Sequence, residues 1–241
     1  MTGFDIVGLV SFHIAEPAAI KGVIFDFHAT LVDAQDTSQW IAAARQRLGQ
    51  HPAGSSAAFT AAQLEGLAEH LDRLWEHALT IDPGSERDLS QAQHRDVFRR
   101  TVGLFPDVHP DLIDALYAVM ADQWIAFEDA LPVLRELKAR GVRIVVLSNI
   151  GIDIRGCLKH AGLIDLIDGV VLSYEVGVVK PDPEIFRLAT NLLGVSTDQT
   201  LMVGDSWRDD AGAAALGIRT LILPRTIGPV HGLASVLRLV G

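Results

Sequence analysis

Five short runs rich in Val, Ile and Leu constrain the fold of this chain more than any other feature. Apolar runs this short are typical of strands buried on both faces of a sheet. The runs are residues 23–27, 142–148, 169–172, 201–204 and 220–223. Helical stretches accompany the later runs at residues 131–140, 154–161, 183–193 and 210–216. This alternation predicts βαβ units, and therefore an α/β fold with a parallel sheet.

The segment between the first and second runs has a different pattern. Residues from about 34 to 126 contain no strand-like run and are predicted to form several helices. Four leucines recur there at helical spacing, which favours a stripe packed into a small core of its own. These are Leu64, Leu67, Leu71 and Leu74. We therefore expect residues 34–126 to form a helical insertion in a core built from residues 1–33 and 127–241.

Composition excludes several classes of function. The 241 residues are 49% hydrophobic, enough for one large α/β domain or for a core with an insertion. A formal net charge of -10 argues against a nucleic-acid partner. No apolar stretch approaches the roughly 20 residues that cross a bilayer, so we expect no membrane partner.

The start of the chain and its cysteine usage indicate a compartment. Residues 1–20 lack the basic lead-in and cleavage site of a signal peptide and are expected to be an extra strand or a loosely held arm. The lone Cys157 cannot form an internal disulfide. Both features favour a reducing compartment, and we expect a cytoplasmic protein.

Polar side chains follow several of the predicted strands. Asp26 comes directly after the first run, and functional groups gather beyond the carboxyl ends of parallel strands. It is therefore a candidate nucleophile or metal ligand, with a capping role as the alternative. Ser148 and Asn149 end the second run and could donate hydrogen bonds to an anion or cap the next helix. Lys180 precedes a helix start fixed by prolines, where it could neutralise a phosphate or be an ordinary surface lysine.

Three acids follow the fourth run: Asp205, Asp209 and Asp210. Clustered carboxylates repel one another, and a hard divalent cation such as Mg²⁺ removes that penalty through oxygen ligands. A solvated acidic loop is the weaker alternative, because apolar residues 201–203 lead straight into the cluster.

These four segments, in this order and with a helical insertion after the first, resemble the haloacid dehalogenase-like hydrolase superfamily. The resemblance covers residues 21–33 and about 127–225. Most members of that superfamily transfer phosphoryl groups. The resemblance implies a Rossmann-like core, a helical cap over the site formed by the insertion, and Mg²⁺ as cofactor.

The resemblance also implies roles for individual residues. Asp26 is expected to be the nucleophile, and Ser148 and Lys180 are expected to bind phosphate. In our own hypothesis Asn149 also helps to offset the charge of the transferring group, and Thr30 supports the phosphate site. Asp205 is expected at the metal together with Asp209 or Asp210. Counting back from Gly212 favours Asp209, whereas Asp210 fits a spacing variant of the family.

His28 departs from the family pattern. Hydrolytic members usually carry a second Asp at this position, which protonates the leaving oxygen and later activates water, and the Gly that usually follows is here Ala29. Imidazole has a reference pKa of about 6.5, so it can hold a proton for a leaving alkoxide near neutral pH. We interpret His28 as an adapted acid/base, with impaired turnover as the alternative. The resemblance makes its backbone carbonyl a metal ligand.

The resulting hypothesis is Mg²⁺-dependent hydrolysis of a small phosphorylated metabolite through an aspartyl-phosphate on Asp26, by a monomer or homodimer. One alternative is a metal-independent 2-haloacid dehalogenase. Asp205 argues against it, because attack on carbon gains nothing from an extra acid. The other alternative is a catalytically impaired member that binds a phosphorylated ligand or passes the phosphoryl group to another acceptor. His28 keeps that alternative open.

The insertion is expected to act as a lid and to supply further candidates for substrate contact. Three arginines could meet a second anionic group, although a solvated helix face is their favoured role. Three tryptophans could line a pocket, although packing is favoured, and two histidines share a helix face but are poor joint metal ligands. These residues are Arg95, Arg99 and Arg100; Trp40, Trp75 and Trp124; and His70 and His77.

Overall fold

The computed structural model describes residues 18–34, 36–49, 60–226 and 228–240. The strand or arm expected for residues 1–20 lies almost entirely outside this range. Among the described residues, no helix combines the length and apolar character needed to span a membrane.

The strands of the described residues form two sheets. They are β1 (Gly22–Phe25), β2 (Val32–Ala34), β3 (Trp124–Ala126), β4 (Arg143–Ser148), β5 (Gly169–Leu172), β6 (Thr200–Gly204) and β7 (Arg219–Ile222). The larger sheet has five strands in the order β5-β4-β1-β6-β7, and all of its pairs are parallel. The prediction of an α/β fold with a parallel sheet is confirmed.

The α-helices are α1 (Thr37–Gly49), α2 (Ala61–Asp72), α3 (Leu74–Ala78), α4 (Gln91–Val102), α5 (Pro110–Val119), α6 (Ala130–Ala139), α7 (Arg155–His160), α8 (Ser173–Val176), α9 (Pro183–Leu193) and α10 (Val236–Leu239). Short 3-10 helices connect several of them, including Glu86–Leu89. The helix predicted at residues 210–216 is also a 3-10 helix, Asp210–Leu216. It packs so closely on the loop before α9 that a Cβ on Gly212 would lie 2.7 Å from Cβ of Pro181.

Both faces of the five-stranded sheet are buried, because alternate residues of an apolar strand point to opposite faces. Val23 and Phe25 of β1 belong to one apolar cluster, which includes residues of α6 and α7. Ile24, between them, belongs to a second cluster with residues of α9. The central strand β1 is thus packed on both sides, which holds its carboxyl end in a fixed place.

The helices α1 to α5 have a separate apolar core. Leu67, Leu71 and Leu74 are buried in it together with Phe98, and Leu64 packs against it partly buried. The predicted leucine stripe is therefore confirmed as core.

A short antiparallel ribbon joins these helices to the rest of the chain. It consists of β2 and β3, with Val32 opposite Ala126 and Ala34 opposite Trp124. The sequence did not predict it, because strands of three residues are too short for a recognisable alternation.

Candidate active site

The carboxyl ends of three neighbouring strands bring the candidate residues together. Asp26 follows β1, Ser148 ends β4, and Asp205 follows β6. The N–H of Asp26 donates to the carbonyl of Val203 at 2.8 Å, which extends the pairing of β1 with β6 by one residue. Asp26 is therefore held beside the end of the strand that leads into Asp205.

Three carboxylates converge at this point. Asp26, Asp205 and Asp210 each offer one oxygen, and these oxygens lie within 4.8 Å of one another. Gly204 makes room for the third acid, since a Cβ there would lie 2.1 Å from Oδ2 of Asp210. Three carboxylate oxygens, two of them from buried residues, fit a hard divalent cation such as Mg²⁺.

Lys180 neutralises part of this cluster. Its Nζ donates to Oδ1 of Asp26 at 2.7 Å and to Oδ1 of Asp210 at 2.6 Å, and all three side chains are buried. Burial lowers the pKa of Lys180, but the two carboxylates outweigh this effect and raise it, so the ammonium is kept. The remaining negative charge of the cluster is what a metal ion would offset.

The pKa of Asp26 is raised by its burial and by the neighbouring carboxylates. Burial raises it to about 7, against the lowering effect of Lys180, and the nearby Asp210 and Asp205 add to the rise. A cation at the cluster would favour the ionised form that a nucleophile needs.

The structure separates the two adjacent acids that the sequence left open. Asp210 lies in the cluster, where its Oδ2 also accepts a hydrogen bond from the N–H of Ser206 at 2.9 Å. The carboxylate of Asp209 instead accepts a hydrogen bond from the hydroxyl of Ser206 at 2.8 Å. The spacing that favoured Asp209 therefore does not place that side chain in the cluster.

Thr30 and Asn149 hold the main side chains in position. The Thr30 hydroxyl donates to Oδ2 of Asp26 at 3.3 Å. The Asn149 amide donates to the carbonyl of Lys180 at 2.9 Å and accepts from its N–H at 2.7 Å. Asn149 thus fixes the backbone from which Lys180 reaches the acids, and Ser148 is buried beside it.

His28 lies at the edge of the site. Its Nε2 is 3.9 Å from Oδ1 of Asp33, and its ring lies edge-on to Trp124 with 5.9 Å between centroids. Burial lowers the pKa of His28, Asp33 opposes this effect, and Arg225 adds to it.

Sequence reasoning missed two charged residues beside the site. Arg225 donates from Nε to Oδ2 of Asp205 at 2.7 Å, and Asp33 faces His28. Arg225 follows β7, so the rule that singled out Asp26 could have found it. Asp33 lies in the unpredicted ribbon and carried no such signal.

The arginines and tryptophans considered for substrate contact mostly have the surface and packing contacts that the sequence favoured for them, and Trp124 also lies beside His28. Arg99 pairs with exposed Asp114, Arg100 with Asp96, and Arg95 lies 5.0 Å over the ring of Tyr117. Trp40 donates to the carbonyl of Leu116, Trp124 packs on Phe27, and Trp75 lies at the surface beneath Arg87.

His70 and His77 do not form a metal site in the described part of the chain. Their rings lie 4.6 Å apart, and Nε2 of His70 bonds the carbonyl of Thr101. The one three-ligand group found among the described residues is the Asp26 cluster.

The insertion touches the core next to the site. The Ser173 hydroxyl donates to the carbonyl of Asp88 at 2.6 Å and accepts from the N–H of Ile150 at 2.8 Å. A Cβ on Gly151 would lie 2.3 Å from Cβ of His94. The 3-10 helix Glu86–Leu89 is therefore seated against the loop that follows β4.

Comparisons with known proteins all match this chain to the same family. The sequence model described as haloacid dehalogenase-like hydrolase matches residues 20–217. Phosphoserine phosphatase of Thermus thermophilus is 32% identical over 172 residues, which are 68% of this chain and 68% of that protein. (S)-2-haloacid dehalogenase 1 of a Pseudomonas species is 27% identical over 221 residues, which are 87% of each chain.

A solved structure gives a similar fold. An enzyme of the same family from Bacteroides thetaiotaomicron, crystallised with magnesium and inorganic phosphate, has a TM-score of 0.54 and 20% identity to this chain. The match covers 87% of this chain and 96% of that one. The chain is thus similar both to phosphatases and to dehalogenases.

Proposed function

The chain belongs to the haloacid dehalogenase-like hydrolase family, and we propose that it is a phosphatase that hydrolyses a small phosphomonoester with Mg²⁺ as cofactor. The observation that carries this proposal is the convergence of Asp26, Asp205 and Asp210 within 4.8 Å. A carboxylate that attacks carbon gains nothing from two further acids beside it. A carboxylate that attacks the anionic phosphoryl group gains from a cation that those acids hold.

The first step of the proposed reaction forms an aspartyl-phosphate. An oxygen of Asp26 attacks phosphorus in line, the bond from phosphorus to the leaving oxygen breaks, and His28 gives that oxygen a proton. Lys180 at 2.7 Å and Thr30 at 3.3 Å hold the two oxygens of Asp26 in one orientation. This restraint reduces the entropy lost on reaching the geometry of attack.

The second step releases phosphate. A water molecule gives a proton to His28 and attacks phosphorus, and the bond to Asp26 breaks. Asp33, 3.9 Å from His28, stabilises the imidazolium that forms in this step. His28 thereby regains the proton that it gave to the leaving group. Because burial lowers the pKa of His28, only the molecules in which it is protonated start the next cycle.

Charge on the transferring group is offset by residues at the strand ends. We assign phosphate binding to Lys180 and Ser148, with Thr30 and Asn149 supporting them. Asp26, Asp205 and Asp210 would hold Mg²⁺, together with the backbone carbonyl of His28 expected from the family. The ion would supply positive charge next to the phosphate.

We further propose that residues 34–126 form a cap over a core of residues 1–33 and 127–241. Support comes from the separate apolar core of α1 to α5 and from the contact of Asp88 with Ser173 beside the site.

We also propose that the protein is cytoplasmic. The buried Cys157, whose pKa burial raises to about 11, is an unreactive thiol of the kind expected in that compartment. We also propose that the substrate is a small phosphorylated metabolite and that the protein is a monomer or a homodimer.

Dehalogenation is the second candidate, because the relative of that activity matches 87% of this chain. Release of phosphate and of chloride distinguishes the two. We expect protein stripped with EDTA to hydrolyse a panel of phosphomonoesters only after Mg²⁺ is added. Chloride release from 2-chloropropionate that is insensitive to EDTA, without phosphatase activity, would reverse the assignment.

A catalytically impaired member remains the third candidate because of His28. It predicts a single turnover, with phosphate trapped on Asp26 or passed to an acceptor other than water. Repeated release of inorganic phosphate by the wild-type protein would exclude it, and Asp26→Asn is the control for background hydrolysis.

A further inference from the structure

Side chains beside the buried acid cluster are more exposed than the cluster itself. The side chains of Asp26, Lys180 and Asp210 are 9%, 3% and 0% exposed. The neighbouring side chains of His28 and Asp33 are 35% and 47% exposed. An acid that protonates the leaving group has to lie beside it. In the proposed reaction, the leaving alcohol of the substrate therefore lies beside His28 and extends towards solvent.

Arg225 is another exposed side chain beside the cluster. Its Nε donates to Oδ2 of Asp205 at 2.7 Å, and its side chain is 70% exposed although that of Asp205 is only 10% exposed. Asp205 in turn offers one of the three carboxylate oxygens that lie within 4.8 Å of one another. Arg225 thus extends from solvent to the edge of the acid cluster.

Most of the hydrogen-bonding capacity of Arg225 is unused. In the part of the chain that the structure describes, Nε has a partner and neither Nη atom does. A guanidinium presents five N–H donors in a planar fork that matches the two oxygens of a carboxylate or phosphate. The four Nη protons remain available to a ligand that enters the site.

The three arginines of the insertion that were considered for such a role already have partners there, and Arg95 lies over the ring of Tyr117. Arg99 and Arg100 pair with Asp114 and Asp96 on the insertion. A cation with free donors at the mouth of a site in a chain of net charge -10 favours anionic ligands there.

We propose that Arg225 is a specificity-determining residue that binds a second anionic group, a carboxylate or a phosphate, on the leaving alcohol of the substrate. The inference rests on the proposed phosphatase function and narrows its substrate class. The substrate is a small phosphomonoester whose leaving group carries a negative charge of its own.

Equilibrium binding tests the inference apart from turnover. The protein used is Asp26→Asn with Mg²⁺, which cannot form the covalent bond. Three probes of similar size are phosphoglycolate, which carries a carboxylate; ethylene glycol bisphosphate, which carries a second phosphate; and ethyl phosphate, which carries neither. Calorimetry should show that one of the two charged probes binds about tenfold to a hundredfold more tightly than ethyl phosphate.

Variants at two arginines identify the cause of that preference. Adding Arg225→Ala should bring the ratio of dissociation constants to about one. Arg225→Lys keeps the charge but loses the fork, so it should retain only part of the preference. The matched control is Arg208→Ala on the loop after β6, where Arg208 lies 5.0 Å over Trp207, and it should leave the ratio unchanged.

Two results would overturn the inference. One is equal binding of all three probes while Arg225 is present. The other is an equal loss for all three probes in Arg225→Ala, which would mean that Arg225 only positions Asp205. If Asp26→Asn does not fold, the same ratios in kcat/KM for wild type and Arg225→Ala give the answer. A third result separates the two proposals. If wild type hydrolyses no phosphomonoester but its binding selectivity still depends on Arg225, the phosphatase proposal is wrong and the role of Arg225 in binding stands.

Discussion

The Nζ atom of Lys180 lies 2.6 Å from Oδ1 of Asp210, and both side chains are almost completely buried. A buried ion pair that loses one partner leaves an uncompensated charge, which is far more costly than the loss of an exposed pair. Loss of Lys180 would therefore destabilise the fold as well as the proposed phosphate site.

We expect Lys180→Met to lower the free energy of unfolding by about 3–5 kcal/mol, because Asp26 and Asp210 would lose their shared cation. Added Mg²⁺ should restore part of this loss and should stabilise the variant more than wild type. Urea denaturation with and without Mg²⁺ measures both effects. The control is Arg187→Met, which removes an exposed pair with Glu184 and should cost less than about 0.5 kcal/mol. An unfolding midpoint equal to that of wild type would contradict this account of Lys180.

The adjacent acids Asp209 and Asp210 form a matched pair for the metal site. Asp210→Asn should reduce Mg²⁺-dependent turnover by about a hundredfold or more, since it removes an oxygen ligand and charge from the cluster. Asp209→Asn alters only a hydrogen bond with Ser206 and should retain activity within about tenfold. Mg²⁺ titration of the rate with each variant checks the assignment. The reverse ranking would move Asp209 into the metal site.

The role of His28 is tested by the leaving group. His28→Gln should lower kcat for an alkyl phosphate by about 10²–10⁴-fold, the usual contribution of a general acid or base. The rate at which the aspartyl-phosphate forms should fall less in this variant for p-nitrophenyl phosphate, because its leaving oxygen needs no proton. Burst kinetics separates this step from hydrolysis. Equal losses for both substrates in that step would remove His28 as the leaving-group acid.

His28→Asp restores the residue usual in the family. If this variant hydrolyses phosphomonoesters faster than wild type, the natural protein is limited at proton transfer. If it is slower, the surroundings of His28, including Asp33 and Arg225, suit an imidazole. Steady-state kcat for the alkyl phosphate decides between the two.

His94 predicts a pH dependence of stability. Burial, with Arg87 nearby, lowers its pKa to about 4. The pKa of His94 in the unfolded chain is about 6.5. Between pH 6.5 and pH 4 the unfolded chain therefore binds a proton at His94 that the folded chain does not bind. Stability is therefore complete above pH 6.5 and falls, by up to about 3 kcal/mol, as the pH drops towards 4.

The measurement is a series of urea unfolding curves from pH 7 to pH 4. His94→Phe should show a shallower decline than wild type over this range, even if it is less stable at pH 7 because it loses the contact with the Tyr117 hydroxyl. His160→Phe, at an exposed position at the end of α7, is the control. Parallel curves for wild type and His94→Phe would rule out His94 as the source.

Much of the fold and part of the site could be predicted from the sequence. Asp26 and Asp205 were identified because an apolar strand leads directly into each of them, and parallel strands end at one edge of a sheet. Lys180 depended on the family resemblance, since nothing local to it shows that its ammonium reaches across to Asp26.

Other features depend on geometry that the sequence does not encode locally. Whether Asp209 or Asp210 faces the cluster is decided by the turn from Ser206, where the N–H of Asp210 donates to the Ser206 carbonyl. Arg225 follows β7, but the sequence does not show that its side chain reaches Asp205. Asp33 lies close to His28 in the chain, in a ribbon too short to give a periodic signal.

The pairing of Ala34 with Trp124 in the β2–β3 ribbon brings the two ends of the helical segment side by side. A designer could therefore graft another segment at these two positions without changing the distance that the chain has to bridge. The graft would also have to replace the contact of Asp88 with Ser173 and the close approach of His94 to Gly151, because the present segment rests on the loops at the strand ends.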